Sequence, residues 1–229
     1  MSTQMDFFGK GVAIFLCNLT MNMAQPWLEA GYRVVLVDPQ HPCTSNSGMV
    51  ERIKGTILDA MPRLGEIIRR ENVVFVFGFP PCTDVAVSGA RWFEEKRKAD
   101  PKFQEKAAIV AEQCRTVGML AGCAWGFENP VSVFSSIFGK PSHTFHPHQY
   151  TGYCEDDNYT KMTCLWTGGG FVMPEPFPLA DIGAPDNRIH AAPPGPERAN
   201  FRSATPCGFS RAAFEANRPD RSRLALVAA

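Results

Sequence analysis

Three short runs of the chain are apolar almost throughout: "GVAIFLCNL" (11–19), "RVVLVD" (33–38) and "NVVFVF" (72–77). A strand with one face in water alternates apolar and polar side chains. A strand without that alternation is covered on both faces, which calls for helices above and below a parallel sheet. The stretches between the runs fit that demand. "NMAQPWLEAGY" (22–32) reads as a short helix stopped by Gly31, and 60–70 as a second helix. Residues 100–123 place Phe103, Ala107, Val110, Cys114, Val117 and Leu120 on one helical face. A short third strand is expected over 53–58, and "AWGFENP" (124–130) reads as a further strand end. The expected fold is α/β, a doubly wound and mostly parallel sheet.

The texture changes at Phe171, where "MPEPFPLADIGAPDNRIHAAPPGPERANFRSATP" is proline-rich and mostly irregular. Three parts are therefore expected: a main unit over 1–170, an irregular segment over 171–200, and a C-terminal helix and tail over 201–229 that packs back. The helix falls at 209–217. With 229 residues the chain can bury a real core. Its 23 basic and 23 acidic residues cancel, which excludes a global basic field for holding duplex DNA. The eight cysteines include no CxxC pair, and "MSTQMDFFGKG" lacks the pattern of a secretory leader. Reduced thiols in a cytoplasm are the expectation. No apolar stretch reaches the roughly 20 residues of a membrane span, so no membrane partner is expected.

The chemistry gathers where strands end. In "FGFPPCTDVAVSG" (77–89), Pro80 and Pro81 lack the N–H a central strand needs, so the strand must stop before them. Cys82 then sits on a stiff loop at a strand's C-terminal end, the edge where open α/β sheets bind ligands. "FENP" places Glu128 at the end of a neighbouring strand, which sets a thiol beside a carboxyl. A thiolate is a strong nucleophile, and a nearby carboxylic acid can protonate or orient a ring it attacks. Asp38, closing the second run, is placed to hold ribose hydroxyls. No GxGxxG precedes it, so a phosphate cradle is lacking, and a cofactor without phosphates would need none. His143, His146, His148 and Cys154 are zinc-ligand types, but their spacing fits no common module and no metal is expected. "RWFEEKRKADPK" (91–102) mixes a tryptophan with basic residues and suits either a nucleic-acid contact or a solvated helix start.

"GFPPC" followed by "ENP" resembles the fourth and sixth motifs of the DNA cytosine-5 methyltransferases. "IFLCNLTMNMAQPWLEAGYRVVLVD" lies where that family has its S-adenosylmethionine loop, and "YTKMTCLW" looks like a diverged QxRxR segment. "RSATPCGFSRAAFEAN" is similar to the tails of short, phage-type relatives. The resemblance implies an S-adenosylmethionine-dependent enzyme whose Cys82 attacks carbon 6 of cytosine in DNA while Glu128 bonds the ring's N3 edge. Lys161 would be the remaining basic residue of the diverged segment. The cofactor would lie against Phe15, Asn18, Trp27, Asp38 and Pro80, with Asp59 standing in for the family's adenine-binding acid, which is Thr56 here. Pro81, Asn129, Pro130, Arg91 and Thr163 would face the substrate. The same resemblance makes 1–170 a catalytic methyltransferase-like domain and 171–200 a reduced recognition segment, in a bacterial or phage-infected cytoplasm. The glycines of the family's cofactor loop are missing from 16–22. Two alternatives stay open: a degenerate accessory protein that binds cofactor or nucleic acid, and a pyrimidine C5 enzyme acting on nucleotides.

Overall fold

The computed structural model describes residues 9–193, 195 and 198–219. Residues 1–8, part of the stretch searched for a leader, and the tail 220–229 lie outside the described residues. The elements run β1 (Val12–Leu16), α1 (Gln25–Glu29), β2 (Arg33–Asp38), β3 (Ser45–Asn46), β4 (Val50–Lys54), α2 (Ile57–Arg70) and β5 (Val73–Gly78). Then come α3 (Phe93–Ala99), α4 (Phe103–Ala121), β6 (Ala124–Pro130), α5 (Phe134–Ile137), β7 (His143–Phe145) and β8 (Thr163–Gly168). Three helices close the described chain: α6 (Arg188–Ala191), α7 (Arg198–Ser203) and α8 (Cys207–Asn217).

One eight-stranded sheet has the order β3-β4-β2-β1-β5-β6-β8-β7. The five strands β4, β2, β1, β5 and β6 run parallel, while β3 and β8 are antiparallel to their neighbours. Order reverses between β1 and β5, so chain leaves the sheet in opposite directions there and opens a crevice at the strands' C-terminal ends. The unbroken apolar runs are explained by the two faces. Ile14 and Leu16 of β1 join Leu64, Ile67 and Val117 from α2 and α4. Ala13 and Phe15 join Trp27, Phe209 and Phe214 from α1 and α8. Alternate residues thus meet different helix layers, and both layers are apolar.

Several boundaries differ from the sequence expectation. The strand expected over 53–58 is β4, ending at Lys54, because a capping box starts α2 early. Thr56 N–H donates to Asp59 Oδ2 at 2.9 Å and Asp59 N–H donates to Thr56 Oγ1 at 3.2 Å. The helix expected over 22–32 is one turn long, opened by Pro26 and closed before Gly31 at φ +84°. The first strand stops at Leu16 because Cys17 turns into the left-handed region at φ +53°. The segment from Phe171 holds no helix before α6, and its first part is laid onto the body. Phe177 N–H donates to Gln149 O at 2.8 Å, Gly152 N–H to Phe177 O at 2.7 Å, and Thr160 N–H to Asp186 O at 2.8 Å.

Gly78 ends β5 where α4 crosses closest. A Cβ there would sit 2.6 Å from Cys114 Cβ and would also overlap its sulfur. The Cys114 Cβ is fixed by the α4 backbone, so turning the sulfur away does not relieve the clash. Gly78→Ala should cost about 1–3 kcal/mol of stability, read as a lower thermal midpoint. An unchanged midpoint would show that α4 is free to retreat.

Candidate active site

The cysteine loop is fixed from both sides. Phe79 N–H, the first after β5, donates to Leu16 O at 2.9 Å, tying the exit to the end of β1. Pro80 is buried, and its carbonyl accepts from Asn129 Nδ2 at 2.9 Å. Cys82 O then accepts from Val85 N–H at 3.1 Å and Ala86 N–H at 2.9 Å, which closes a turn. Beyond it, Val87 N–H donates to Val131 O and Val133 N–H to Val85 O. The "FPPC" loop and the loop after "FENP" are therefore laced together, and Pro81 stays exposed on top.

Strand pairing brings the second half. β8 runs antiparallel to β6 with Pro130 opposite Thr163 and Asn129 opposite Cys164. Thr163 Oγ1 donates to Lys161 O at 3.2 Å, just before β8. Lys161 is 8% exposed, and its Nζ donates to Ala204 O at 3.1 Å. That bond draws in the link between α7 and α8, which Asn22 Nδ2 also holds, donating to Thr205 O at 2.8 Å. Arg202 is half-buried, acts electrostatically on Cys82, and has no ion-pair partner among the described residues.

The site's charges oppose one another. Burial raises the Cys82 thiol above its ordinary value, and the nearby Glu128 carboxylate raises it further, while Lys161 and Arg202 lower it. Burial also raises the Glu128 carboxyl, with Lys161 working against it. The Glu128 side chain as a whole is half-buried, but its Oε2 is enclosed and has no hydrogen-bond partner. Asn129 Oδ1 beside it is equally unpartnered. Enclosed polar atoms without partners are costly, and here two of them point to the edge that holds Cys82. Burial favours the protonated form of both groups, and a protonated Glu128 removes one of the charges that raise the Cys82 thiol.

This balance is testable without turnover. Arg202→Gln and Lys161→Met should each move the pH profile of Cys82 alkylation upward, since a stabilising cation is lost. Glu128→Gln should move it downward, since a like charge is lost. Peptide mass spectrometry after iodoacetamide pulses reads the effect. Profiles that coincide for all three variants would contradict the assignment.

The β1–β2 end gathers a second set of buried polar groups. Asn18 is 3% exposed with Oδ1 unpartnered, and its N–H donates to Val37 O at 3.1 Å. Asp38, also buried, accepts Gln40 N–H on Oδ1 at 2.8 Å, and its Oδ2 has no hydrogen bond among the described residues. His41 lies beside it with Nε2 enclosed and unpartnered. Burial lowers its pKa, Asp38 works the other way, and Arg52 adds to the lowering.

Two expected cofactor residues are corrected. Phe15 and Trp27 have no exposed surface and belong to the aromatic layer under α8. Trp27 stacks on Phe75 at 4.7 Å and meets Phe214 edge-on at 5.1 Å, which places these rings in the core. Asp59 lies at the β4 side of the same edge, its carboxylate held by Thr56. Arg91 stands apart on an exposed arm. His146 and His148 stack at 5.4 Å near the end of β7, and His143 meets Phe171 at 6.2 Å. Among the described residues no group of three His, Cys, Asp or Glu could hold a metal ion. All eight cysteines are free.

Sequence reasoning missed Arg202 and His41. "DPQH" did carry a signal for His41, three residues after the strand-end acid. Nothing local marks Arg202, which is brought to the site by the α7–α8 link that Lys161 and Asn22 hold. No protein-family model matches the chain, and a search of curated proteins finds no match. No helix among the described residues is long and apolar enough to cross a membrane. The fold and the site together define an α/β protein with a thiol–carboxyl pair, flanked by two cations, at the C-terminal edge of its sheet.

Proposed function

We propose that the protein is an S-adenosylmethionine-dependent methyltransferase that acts on carbon 5 of cytosine in DNA through a covalent adduct at Cys82. The observation that carries this reading is the juxtaposition of Cys82 with Glu128 by loops laced together through Val85, Val87, Val131 and Val133. A doubly wound sheet compatible with the methyltransferase type supports it, as does the resemblance of "GFPPC" and "ENP" to that family.

Each group has a task. The Cys82 thiolate adds to carbon 6 of the ring, forming a C–S bond and pushing electron density toward carbon 5 and N3. Glu128, held toward its protonated form by burial, donates to N3 and stabilises the charge developing there. Lys161 and Arg202 favour the thiolate before addition. Once carbon 5 has taken a methyl group, its proton passes to a water molecule, the freed electron pair re-forms the 5,6 double bond, and the C–S bond breaks to release Cys82 as thiolate. Pro80 and Asn129 fix the loop, because an attack trajectory tolerates little misplacement. The target base must leave its stack to reach a pocket of this kind.

The polar groups at the end of β1 and β2 suit a cofactor with a ribose and no phosphates. Asp38 Oδ2 is available to ribose hydroxyls, and Asn18 Oδ1 and His41 Nε2 are polar atoms awaiting partners. S-adenosylmethionine supplies an electrophilic methyl group to the carbon that Cys82 makes nucleophilic. The direct test is mass spectrometry of nucleosides from cytosine-containing DNA incubated with protein and methyl-labelled S-adenosylmethionine. Labelled 5-methylcytosine is expected, and its absence from single-stranded DNA, duplex DNA and free nucleotide alike would overturn the reading.

A further inference from the structure

Directly after the cysteine loop, residues 87–99 leave the body as an arm: a 3-10 turn, Val87–Trp92, followed by α3, with no residue of either buried. Trp92 is 50% exposed and Val87 52%. Large aromatics are normally among the most covered side chains, and an apolar surface left open beside a reactive thiol calls for an occupant. The arm is nonetheless held in place. Lys96 Nζ donates to Thr83 O at 2.8 Å and pairs with Asp84 Oδ1 at 2.7 Å, within two residues of Cys82. The Arg91 guanidinium lies over the Trp92 ring at 5.1 Å. A shallow groove lined by Trp92, Glu95, Lys96 and Ala99 runs beside it. Val87 and Val131, joined by a 2.9 Å backbone bond and both half-exposed, carry the apolar floor from Trp92 toward the site.

Charge selects the occupant. Residues 91–102 carry five cations against three acids in a chain whose total is zero. Lys98 is paired with Glu94, and Lys96 with Asp84, while Arg91, Arg97 and Lys102 have no ion-pair partner among the described residues. An aromatic face backed by unspent cations is the recognition chemistry of an unpaired nucleic-acid strand, where bases stack and phosphates meet the charges. Nothing described here suits a duplex groove. α3 has seven residues, and the 171–187 stretch is bonded along 149–160, where it cannot enter a groove. A single strand also offers its base without the cost of unpairing.

We propose that Trp92 and Arg91 form a stacking platform for an unpaired DNA base adjoining the target nucleotide, so that the preferred substrate is single-stranded DNA. This rests on the reading of Cys82 as a site for DNA pyrimidines. The probe is a fluorescein-labelled oligodeoxythymidylate, which contains no cytosine and so reports binding without turnover. Fluorescence anisotropy at about 0.15 M salt should show it bound more tightly than a hairpin duplex of equal length. Trp92→Ala should weaken it about 5-fold to 150-fold, Trp92→Phe far less, and Arg91→Ala should flatten the salt dependence. Because Trp92 is exposed, these variants should melt as the wild type does. Equal affinity for the duplex, or an unchanged Trp92→Ala, would overturn the proposal even if cytosine methylation is found. Strand binding with no methyl transfer would leave the platform standing and remove the methyltransferase reading.

Discussion

Cys82→Ala should abolish methyl transfer, lowering the rate by at least about 10,000-fold, while the protein keeps its fold. The size of the effect follows from the sulfur's role: without a C–S bond at carbon 6, carbon 5 of cytosine is not a useful nucleophile. Cys82→Ser should be nearly as inactive, because a hydroxyl ionises far less than a thiol near neutral pH. The structural cost is small. Cys82 is half-buried at the margin of the core, and removing one sulfur costs about 1 kcal/mol. Labelled-methyl incorporation and a thermal melt on the same preparation separate the two effects. Contrasting behaviour is expected of Cys164, a buried core residue paired across the strands with Asn129, and of Cys123, whose thiol burial pushes up to about 11. Alanine at either should lower stability and spare the chemistry.

Glu128→Gln should reduce kcat by about 100-fold to 1,000-fold with little change in affinity for the cofactor. Glu128 lies on β6, on the far side of β5 from Asn18 and Asp38, so under the proposed mechanism the loss should fall on the chemical step. The pH dependence gives a second readout. Burial raises Glu128, and the acid form is the donor, so activity should fall as pH rises through its elevated pKa. Falling pH should reduce activity for the opposite reason, by protonating the Cys82 thiolate. Glutamine does not titrate, so the variant's residual rate should lose the limb that belongs to Glu128 and keep the one that belongs to Cys82. A variant with wild-type kcat and an unaltered profile would place Glu128 outside the reaction.

Much of this arrangement was legible in the residues. The runs 33–38 and 72–77 signalled doubly covered strands because β-branched and aromatic residues fill both faces, and β2 and β5 match them within a residue at each boundary. Pro80 and Pro81 marked the end of β5, and "ENP" the end of β6, so the thiol and the carboxyl could be set at one edge from local signals alone. What failed was everything fixed by distant contacts. Phe15 and Trp27 are drawn into the core by Phe75 and Phe214, which the pattern of 11–32 does not contain. β7 and β8 carry no long apolar run to mark them: β8 pairs antiparallel with β6, and β7, only three residues long, pairs with β8 at the sheet edge. Thr56 was weighed as a replaced ligand, whereas Thr-x-x-Asp is a capping box that begins α2. Arg202 reaches Cys82 across 120 residues of sequence, and no periodicity carries that information.

The most direct test is covalent trapping. DNA carrying 5-fluorocytosine can accept the thiolate at carbon 6 and the methyl group at carbon 5, but it cannot then lose a proton from carbon 5. With S-adenosylmethionine present, the wild-type protein should therefore become fixed to the oligonucleotide through a denaturant-stable bond, and peptide mapping should place it at Cys82. Cys82→Ser should give no adduct. Methylation of ordinary cytosine without any trapped species, or an adduct that persists in Cys82→Ser, would contradict the account.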